Sequence, residues 1–261
     1  MNKSNQTNKD FWTNQAKEYK FDVKAVNFDP LEEELELYFL EKIIEDGKTI
    51  GDIGCGNGRL LLELAKKKKK SQFYGVDFIE EMIDIANEQK KSQNIANVQF
   101  TVQDASSEKL KDFFDCEFDQ MMSKRLLINL KGNKKRKAIE NIHSLLKKNG
   151  MYVMIECFVE PLEKINKIRT QLNLDEIKVK SFNEYLTEDF IDDIKTYFII
   201  KEKIDFESLY YFISRIYNAY LSEGKPDYFA PINKLSVELT KMGVRATEQY
   251  SPEIMFILQK K

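Results

Sequence analysis

One histidine, one tryptophan, three cysteines, five prolines and ten glycines in 261 residues leave little room for several kinds of protein. With so few glycines and prolines and 42% hydrophobic residues, the composition is too ordered for a tail-like chain. A sizeable core can be buried, in one large domain or two small ones. Cys55, Cys116 and Cys157 are odd in number, far apart and in no Cys-x-x-Cys or Cys/His pattern. That spacing speaks against a disulfide framework and against a zinc site, and no metal is expected. No apolar run approaches the roughly 20 residues of a membrane span, and the opening MNKSNQTNKD has no apolar signal-peptide core. A cytoplasmic protein without membrane contact is expected. Because 41 basic residues face 43 acidic ones, for a net charge of -2, no global field draws the chain to nucleic acid. Internal repeats and low-complexity linkers are also absent.

What the chain does have is alternation. After a polar start expected to fray, segments 11–20 and 31–45 read as helices. In the second, apolar positions 35, 39, 40 and 43 recur at helical spacing, the acidic first turn suits a helix N-terminus, and Asp29-Pro30 supports its start. From Lys48 onward, short apolar strands at 49–53, 72–76, 98–102, 118–122 and 151–157 alternate with helices at 59–68, 80–91 and 134–147. Such a βαβ series implies an α/β fold with a mostly parallel sheet covered on both faces. Beyond Glu160 the alternation weakens: helices are expected at 161–172 and 187–196, a strand at 198–204, two helices within 206–242 broken at Gly224-Lys225-Pro226, and a last strand at 253–258. The Lys-rich run 66–70 reads as a solvated helix end.

The sharpest feature is Asp52-Ile53-Gly54-Cys55-Gly56-Asn57-Gly58, between a predicted strand and a predicted helix. Glycines here let the backbone turn tightly and approach a ligand, while the next helix presents free N–H groups. Asp77 ends the following strand, where a carboxylate can accept hydrogen bonds from two ribose hydroxyls, and Asp104 ends the third. All three acids therefore fall at the strand edge where open α/β sheets bind ligands. The spacing is Gly-x-Gly-x-Gly and lacks the third glycine of dinucleotide loops, and Asp52 is a poor neighbour for phosphate but a good one for an ammonium group. A nucleoside with a cationic, phosphate-free tail fits better.

On these residues the chain resembles the class I S-adenosylmethionine-dependent methyltransferases, from about Ile50 to Phe158. The resemblance rests on DIGCGNG (52–58), GVDF (75–78), VQDA (102–105), FDQMM (118–122) and LKKNGMYVMIE (146–156), the last similar to a Leu-Lys-Pro-Gly-Gly turn with Lys148 and Asn149 departing from it. It implies a Rossmann-like, doubly wound, seven-stranded sheet whose last strand inserts antiparallel, with helical cap insertions. The implied organisation is an N-terminal helical cap at 1–47, a cofactor-binding core at 48–160, and at 161–261 the remaining sheet with substrate-cap helices. The implied cofactor is S-adenosylmethionine, with S-adenosylhomocysteine as product. Asp52 and Gly54 would lie by its amino group, Gly56 and Gly58 would line the loop, Asp77 would bind the ribose, and Asp104 would reach the adenine between Phe78 and Ala105. Cys55, Asn57, Met82 and Ser123 complete the expected cofactor set. More loosely, SKRLLINL (123–130), the end of the fifth strand and SLYYFISRIYNAYL (208–221) are similar to bacterial methyltransferases of small molecules and cell-surface sugars.

Methyl transfer from a sulfonium is an in-line displacement in which positioning supplies much of the acceleration. A general base helps for an oxygen or protonated amine acceptor. Glu156, carried to the sheet edge by YVMIE, is the candidate base, and Arg125 the candidate for orienting the acceptor. His143 lies on the side of a packing helix. Trp12, Tyr19, Tyr211, Arg215 and Asn218 are candidate substrate contacts, and the N-terminal helix a candidate lid. The expected acceptor is an oxygen or nitrogen of a small polar metabolite or sugar-like molecule. Two alternatives stay open: RNA as acceptor, through Lys131 to Lys137 (KGNKKRK), and a non-catalytic nucleoside-binding protein. Nicotinamide chemistry is disfavoured by the glycine spacing.

Overall fold

Short apolar segments pair side by side, the central ones buried on both faces and the two edge ones only in part. Thr49–Ile53 (β1), Gln72–Asp77 (β2), Val98–Val102 (β3), Phe118–Lys124 (β4) and Leu146–Cys157 (β5) form parallel ladders. Phe198–Ile204 (β6) and Glu253–Lys260 (β7) complete a seven-stranded sheet in the order 3-2-1-4-5-7-6. β7 lies antiparallel to both β5 and β6, as the resemblance implied. The computed structural model describes residues 7–224 and 227–261. Residues 1–6, and Lys225 and Pro226 of the expected break, lie outside the described residues.

The helices are Asn8–Tyr19 (α1), Pro30–Ile43 (α2), Arg59–Lys67 (α3), Glu80–Ser92 (α4), Asn133–Leu145 (α5), Val159–Gln171 (α6) and Phe190–Tyr197 (α7). Next comes Ser208–Phe212 (α8), which runs through a π-helical turn, Ile213–Asn218, into Ala219–Leu221 (α9), and then Pro231–Lys241 (α10). Leucines of α2 and α3 pack with Phe73, Phe100, Tyr210 and Val237 in one core, and α5 and α7 with Tyr152, Phe198 and Phe256 in another. β5 begins earlier than the sequence suggested, since Leu146 already pairs with Phe118. Asn149 has φ 62°, a left-handed conformation that asparagine tolerates, so the turn survives without its first glycine. His143 is wedged against Tyr197 and Phe198, 5.6 Å from each ring, which makes it a packing residue of α5.

Sequence order reverses between β1 and β4, and in open α/β sheets the crevice beyond such a reversal is the ligand site. The loops after β1 and β4, residues 54–58 and 125–130, flank that crevice. Asp29 caps α2 by accepting from the Leu31 and Glu32 amides at 3.0 and 3.4 Å, with Pro30 at the first helical position. Its other oxygen takes the Tyr210 hydroxyl at 2.6 Å and Arg215 Nη2 at 2.8 Å. One carboxylate thus ends the N-terminal segment and pins the C-terminal helices beside the crevice. No helix among the described residues is long and apolar enough to cross a membrane.

Candidate functional site

Two connected hollows share Gly54, Asp77, Phe78, Leu126 and Asn129. The inner one, about 320 Å³, is lined by Asp52, the loop from Gly54 to Asn57, Met82, Lys124, Arg125, Trp12 and Arg215 among others. The outer one, about 670 Å³, runs past Asp104, Ala105, Lys131 and Lys134.

Local backbone chemistry builds the floor. The amides of Gly54 and Cys55 both donate to Val76 O, at 2.8 and 3.0 Å, folding the loop back over β2. Asp77 Oδ2 then accepts the Gly56 amide at 2.9 Å and Oδ1 the Ile79 amide at 2.9 Å. Gly56 has φ 56°, and a Cβ there would sit 2.7 Å from Val26 Cγ1; at Gly58, φ 73°, it would sit 2.7 Å from both Ala86 and Phe100. Only glycine meets both demands. Gly58 is buried beneath the loop and does not line the cleft, a correction to its expected contact role. Asn57 donates to Lys20 O at 3.0 Å and Asp22 O at 3.3 Å, tying the loop to the segment that follows α1.

Electrostatics divide the cleft. Asp52 is buried, and burial, aided by repulsion from Asp77 and tempered by Lys124, pushes its pKa up to about 7. Burial also raises Asp77, against the pull of the Ile79, Gly56 and Phe78 amides. Both carboxylates are therefore poised to gain from a cationic or hydroxyl-bearing ligand. Phe78 leaves 39% of its surface exposed at the junction of the hollows. Asp104 Oδ1 accepts the Ser106 amide and hydroxyl at 2.8 and 2.7 Å, and Oδ2 lies 3.9 Å from Lys134. The N-terminal helix forms a wall: Asn8 Nδ2 donates to Asn129 O at 2.8 Å and Trp12 Nε1 to Asn129 Oδ1 at 3.1 Å.

Behind this wall lies an ionic layer the sequence did not disclose. Arg125, with φ 50°, reaches Glu36 at 3.4 Å and Glu253 at 3.6 Å. Burial pulls its pKa down, but Glu253 and Glu36 more than offset this and hold the guanidinium firmly charged. Lys124 pairs with Glu36, and Arg215 with Asp29 and Glu32 at 2.8 and 2.7 Å. Arg215 also stacks 4.9 Å from Tyr211 and 5.0 Å from Tyr228. Glu32 and Glu33 of the acidic first turn of α2, and Glu36 beyond it, are buried counter-ions, a role that the helix dipole alone does not imply.

Several expected contacts are not made. Glu156 is fully buried and lines neither hollow; its oxygens accept the Leu127 and Ile128 amides at 2.7 and 3.3 Å. Burial raises its pKa to about 7, against the pull of those amides, but the raised carboxyl holds the turn after β4 instead of facing the acceptor as a base. Ser123 is buried on the Tyr152 hydroxyl at 2.6 Å. Tyr19 packs edge-on to Phe28, Tyr211 lies in a satellite core with Leu162 and Ile165, and Asn218 donates to Asp227 O at 3.0 Å; none of the three lines either hollow. Trp12, Arg125 and Arg215 do. Glu156→Gln is expected to lower stability by about 1–2 kcal/mol, since an amide oxygen replaces only one acceptor, with unchanged turnover per folded molecule. Thermal unfolding and steady-state rates check this, and a slowed kcat in fully folded protein would return Glu156 to the chemistry.

A family model described as a methyltransferase domain matches residues 44–204. The chain belongs to the class I S-adenosylmethionine-dependent methyltransferases. Among curated relatives, a carboxy-S-adenosyl-L-methionine synthase from Nautilia profundicola is 29% identical over 156 residues, 58% of this chain and 62% of that protein. An (S)-coclaurine N-methyltransferase from Thalictrum flavum subsp. glaucum is 33% identical over 81 residues, 31% of this chain and 22% of that protein. The chain thus spans less than two thirds of the length of either relative. A geranyl diphosphate C-methyltransferase from Streptomyces coelicolor, solved with S-adenosyl-L-homocysteine, superposes with a TM-score of 0.56 at 12% identity, covering 88% of this chain and 81% of that one; at that identity the likeness shows the fold. The cofactor of this family is S-adenosylmethionine, and the residues present fit it. The loop is cut back to glycine where side chains would collide, a buried carboxylate without a contacting cation lies at the end of β1, and Asp77, with both oxygens fixed, ends β2.

Proposed function

We propose that the protein transfers a methyl group to an oxygen or nitrogen of a small polar metabolite or sugar-like acceptor, held under a cap made by residues up to 47 and the helices beyond 160. S-adenosylmethionine, when bound, supplies an electrophilic methyl on a sulfonium leaving group. The protein's own residues then bind, orient and exclude water. Asp52 meets the cofactor's ammonium group, Asp77 its ribose hydroxyls, Phe78 and Ala105 its base, Asp104 the base's amino group, and Gly54 and Gly56 let the backbone approach. Arg125, fixed between two carboxylates, orients the acceptor without spending rotamer entropy on doing so. With Glu156 occupied by backbone amides, acceleration rests on alignment.

The observation that carries this reading is the continuity of the cleft: one hollow joins Asp52 and Asp77 to Trp12, Arg125, Arg215 and Tyr228. RNA as acceptor is not favoured, because the basic run 131–137 is largely matched by acids: Lys134 by Asp104, Lys135 by Glu184, Arg136 by Asp193 and Lys137 by Glu140.

Calorimetric titration with S-adenosylhomocysteine tests the assignment. One-to-one binding is expected, weakening by about tenfold per pH unit below about pH 7 as the raised Asp52 carboxyl takes up a proton and loses its attraction for the ammonium group. The pH slope should vanish in Asp52→Asn. Absence of binding overturns the reading.

A further inference from the structure

The long segment between α6 and α7 has no regular structure, yet it is pinned at several points. Asn166 brackets Ile177, donating from Nδ2 to its carbonyl at 3.0 Å and accepting its amide at 2.8 Å. Further on, the Glu184 amide donates to Ile128 O at 2.8 Å and the Leu186 amide to Cys157 O at 2.9 Å. Between these anchors Lys178 and Lys180 both line the inner hollow. Loops of this length fixed at a cleft are commonly binding elements.

The charges of the cleft do not cancel evenly. On the deep side they are matched: Arg59 with Glu33 at 2.8 Å, Lys124 with Glu36, Arg215 with Asp29 and Glu32. Asp52 and Asp77, neither in an ion pair among the described residues, are left for the cofactor's ammonium group and ribose. At the mouth, Lys178 and Lys180, both exposed to solvent, line the cleft and make no ion pair and no side-chain hydrogen bond among the described residues. Arg125 is already paired with Glu36 and Glu253, although its Nη2 makes no hydrogen bond. The Lys180 amine stands 4.2 Å from the Phe11 ring, 5.2 Å from Trp12 and 5.8 Å from Phe28, so aromatic surface borders the unmatched charge.

We infer that the methyl acceptor is an organic anion whose carboxylate or phosphate group is bound by Lys178 and Lys180, with its apolar part against Trp12 and Phe28. This rests on the reading of the cleft as a cofactor and acceptor site. An anion there gives these two lysines a counter-charge that no side chain beside them supplies, whereas an amine acceptor would meet two like charges. Desolvation, with Arg125 nearby, already lowers Lys180 from 10.5 to about 8, the direction expected of an amine that lacks its counter-ion.

The sole tryptophan of the chain is Trp12, which supplies the signal. Protein saturated with S-adenosylhomocysteine is titrated with benzoate, phenyl phosphate, benzyl alcohol and benzylamine while Trp12 fluorescence is followed. Saturable binding of at least one anion is expected, tighter than that of the alcohol or the amine. The stronger of benzoate and phenyl phosphate identifies the anionic group. Lys178→Gln/Lys180→Gln should weaken it by about tenfold or more, the worth of one to two partly solvated charge pairs, while S-adenosylhomocysteine affinity and thermal midpoint stay unchanged. Lys178→Arg/Lys180→Arg should retain binding. The inference is overturned if no anion binds, if benzylamine or benzyl alcohol binds as tightly, or if the double glutamine variant keeps full anion affinity. Calorimetry with S-adenosylhomocysteine separates this failure from that of the underlying reading, which falls only if the cofactor product itself does not bind.

Discussion

Asp77→Ala is expected to weaken S-adenosylhomocysteine binding by two to three orders of magnitude, about 3–4 kcal/mol. The carboxylate does two things at once. Its oxygens hold the Gly56 and Ile79 amides at 2.9 Å each, fixing the loop after β1 to the turn after β2. It also faces both halves of the cleft, where the proposal gives it the ribose hydroxyls. Hydrogen bonds to an ionised group each contribute about 1.5–3 kcal/mol, so losing the ligand contacts together with part of the loop's order gives the stated range. Asp77→Asn keeps the shape and one acceptor and should fall between. Calorimetry on folded protein reads the effect, and wild-type affinity in Asp77→Ala would remove this residue from the binding site.

A second large effect is expected far from any ligand contact. Gly58→Ala places a Cβ 2.7 Å from Ala86 Cβ and from Phe100 Cζ, at a backbone φ of 73°. Overpacking and a left-handed non-glycine residue each cost about 1–3 kcal/mol, so a loss of about 3–4 kcal/mol and a fall in Tm of roughly 10 °C follow. Gly47 provides the control. It too has a positive φ, 79°, but a Cβ there meets nothing within 4 Å, and Gly47→Ala should cost only about 1 kcal/mol. Equal midpoints for the two variants would contradict the packing argument.

The loop glycines at 54, 56 and 58 were legible because a strand, a tight turn and a helix follow one another within a few residues, as do β2 and Asp77, although the atoms that crowd Gly58 belong to Ala86 and Phe100. The sheet was legible for the same reason, since fully buried strands are short apolar runs and the helices between them keep their period. What escaped the sequence depends on contacts between distant residues. Glu36 meets Lys124 across 88 positions and Asp29 meets Arg215 across 186, so an acidic α2 read from its own segment looks like a helix start and nothing more. Glu156 was misread for a related reason. Strand parity brings it to the sheet edge, but whether it turns to the cleft or under the Leu127 amide depends on a turn elsewhere in the chain. Ser123 and Tyr211 failed likewise, each buried on partners outside its own element. Lys178 and Lys180 carried no signal, because their segment has no periodicity and the bonds that hold it at the cleft are made by Ile177, Glu184 and Leu186 with residues outside it.

The central claim is that this cleft moves a methyl group from cofactor to acceptor. Incubating the protein with methyl-labelled S-adenosylmethionine and an extract of small metabolites, and following both products by mass spectrometry, tests it most directly. The account predicts S-adenosylhomocysteine and a labelled, anionic acceptor formed in equal amounts, both lost in Asp77→Ala. Label remaining wholly on the cofactor, with no S-adenosylhomocysteine released, would contradict it.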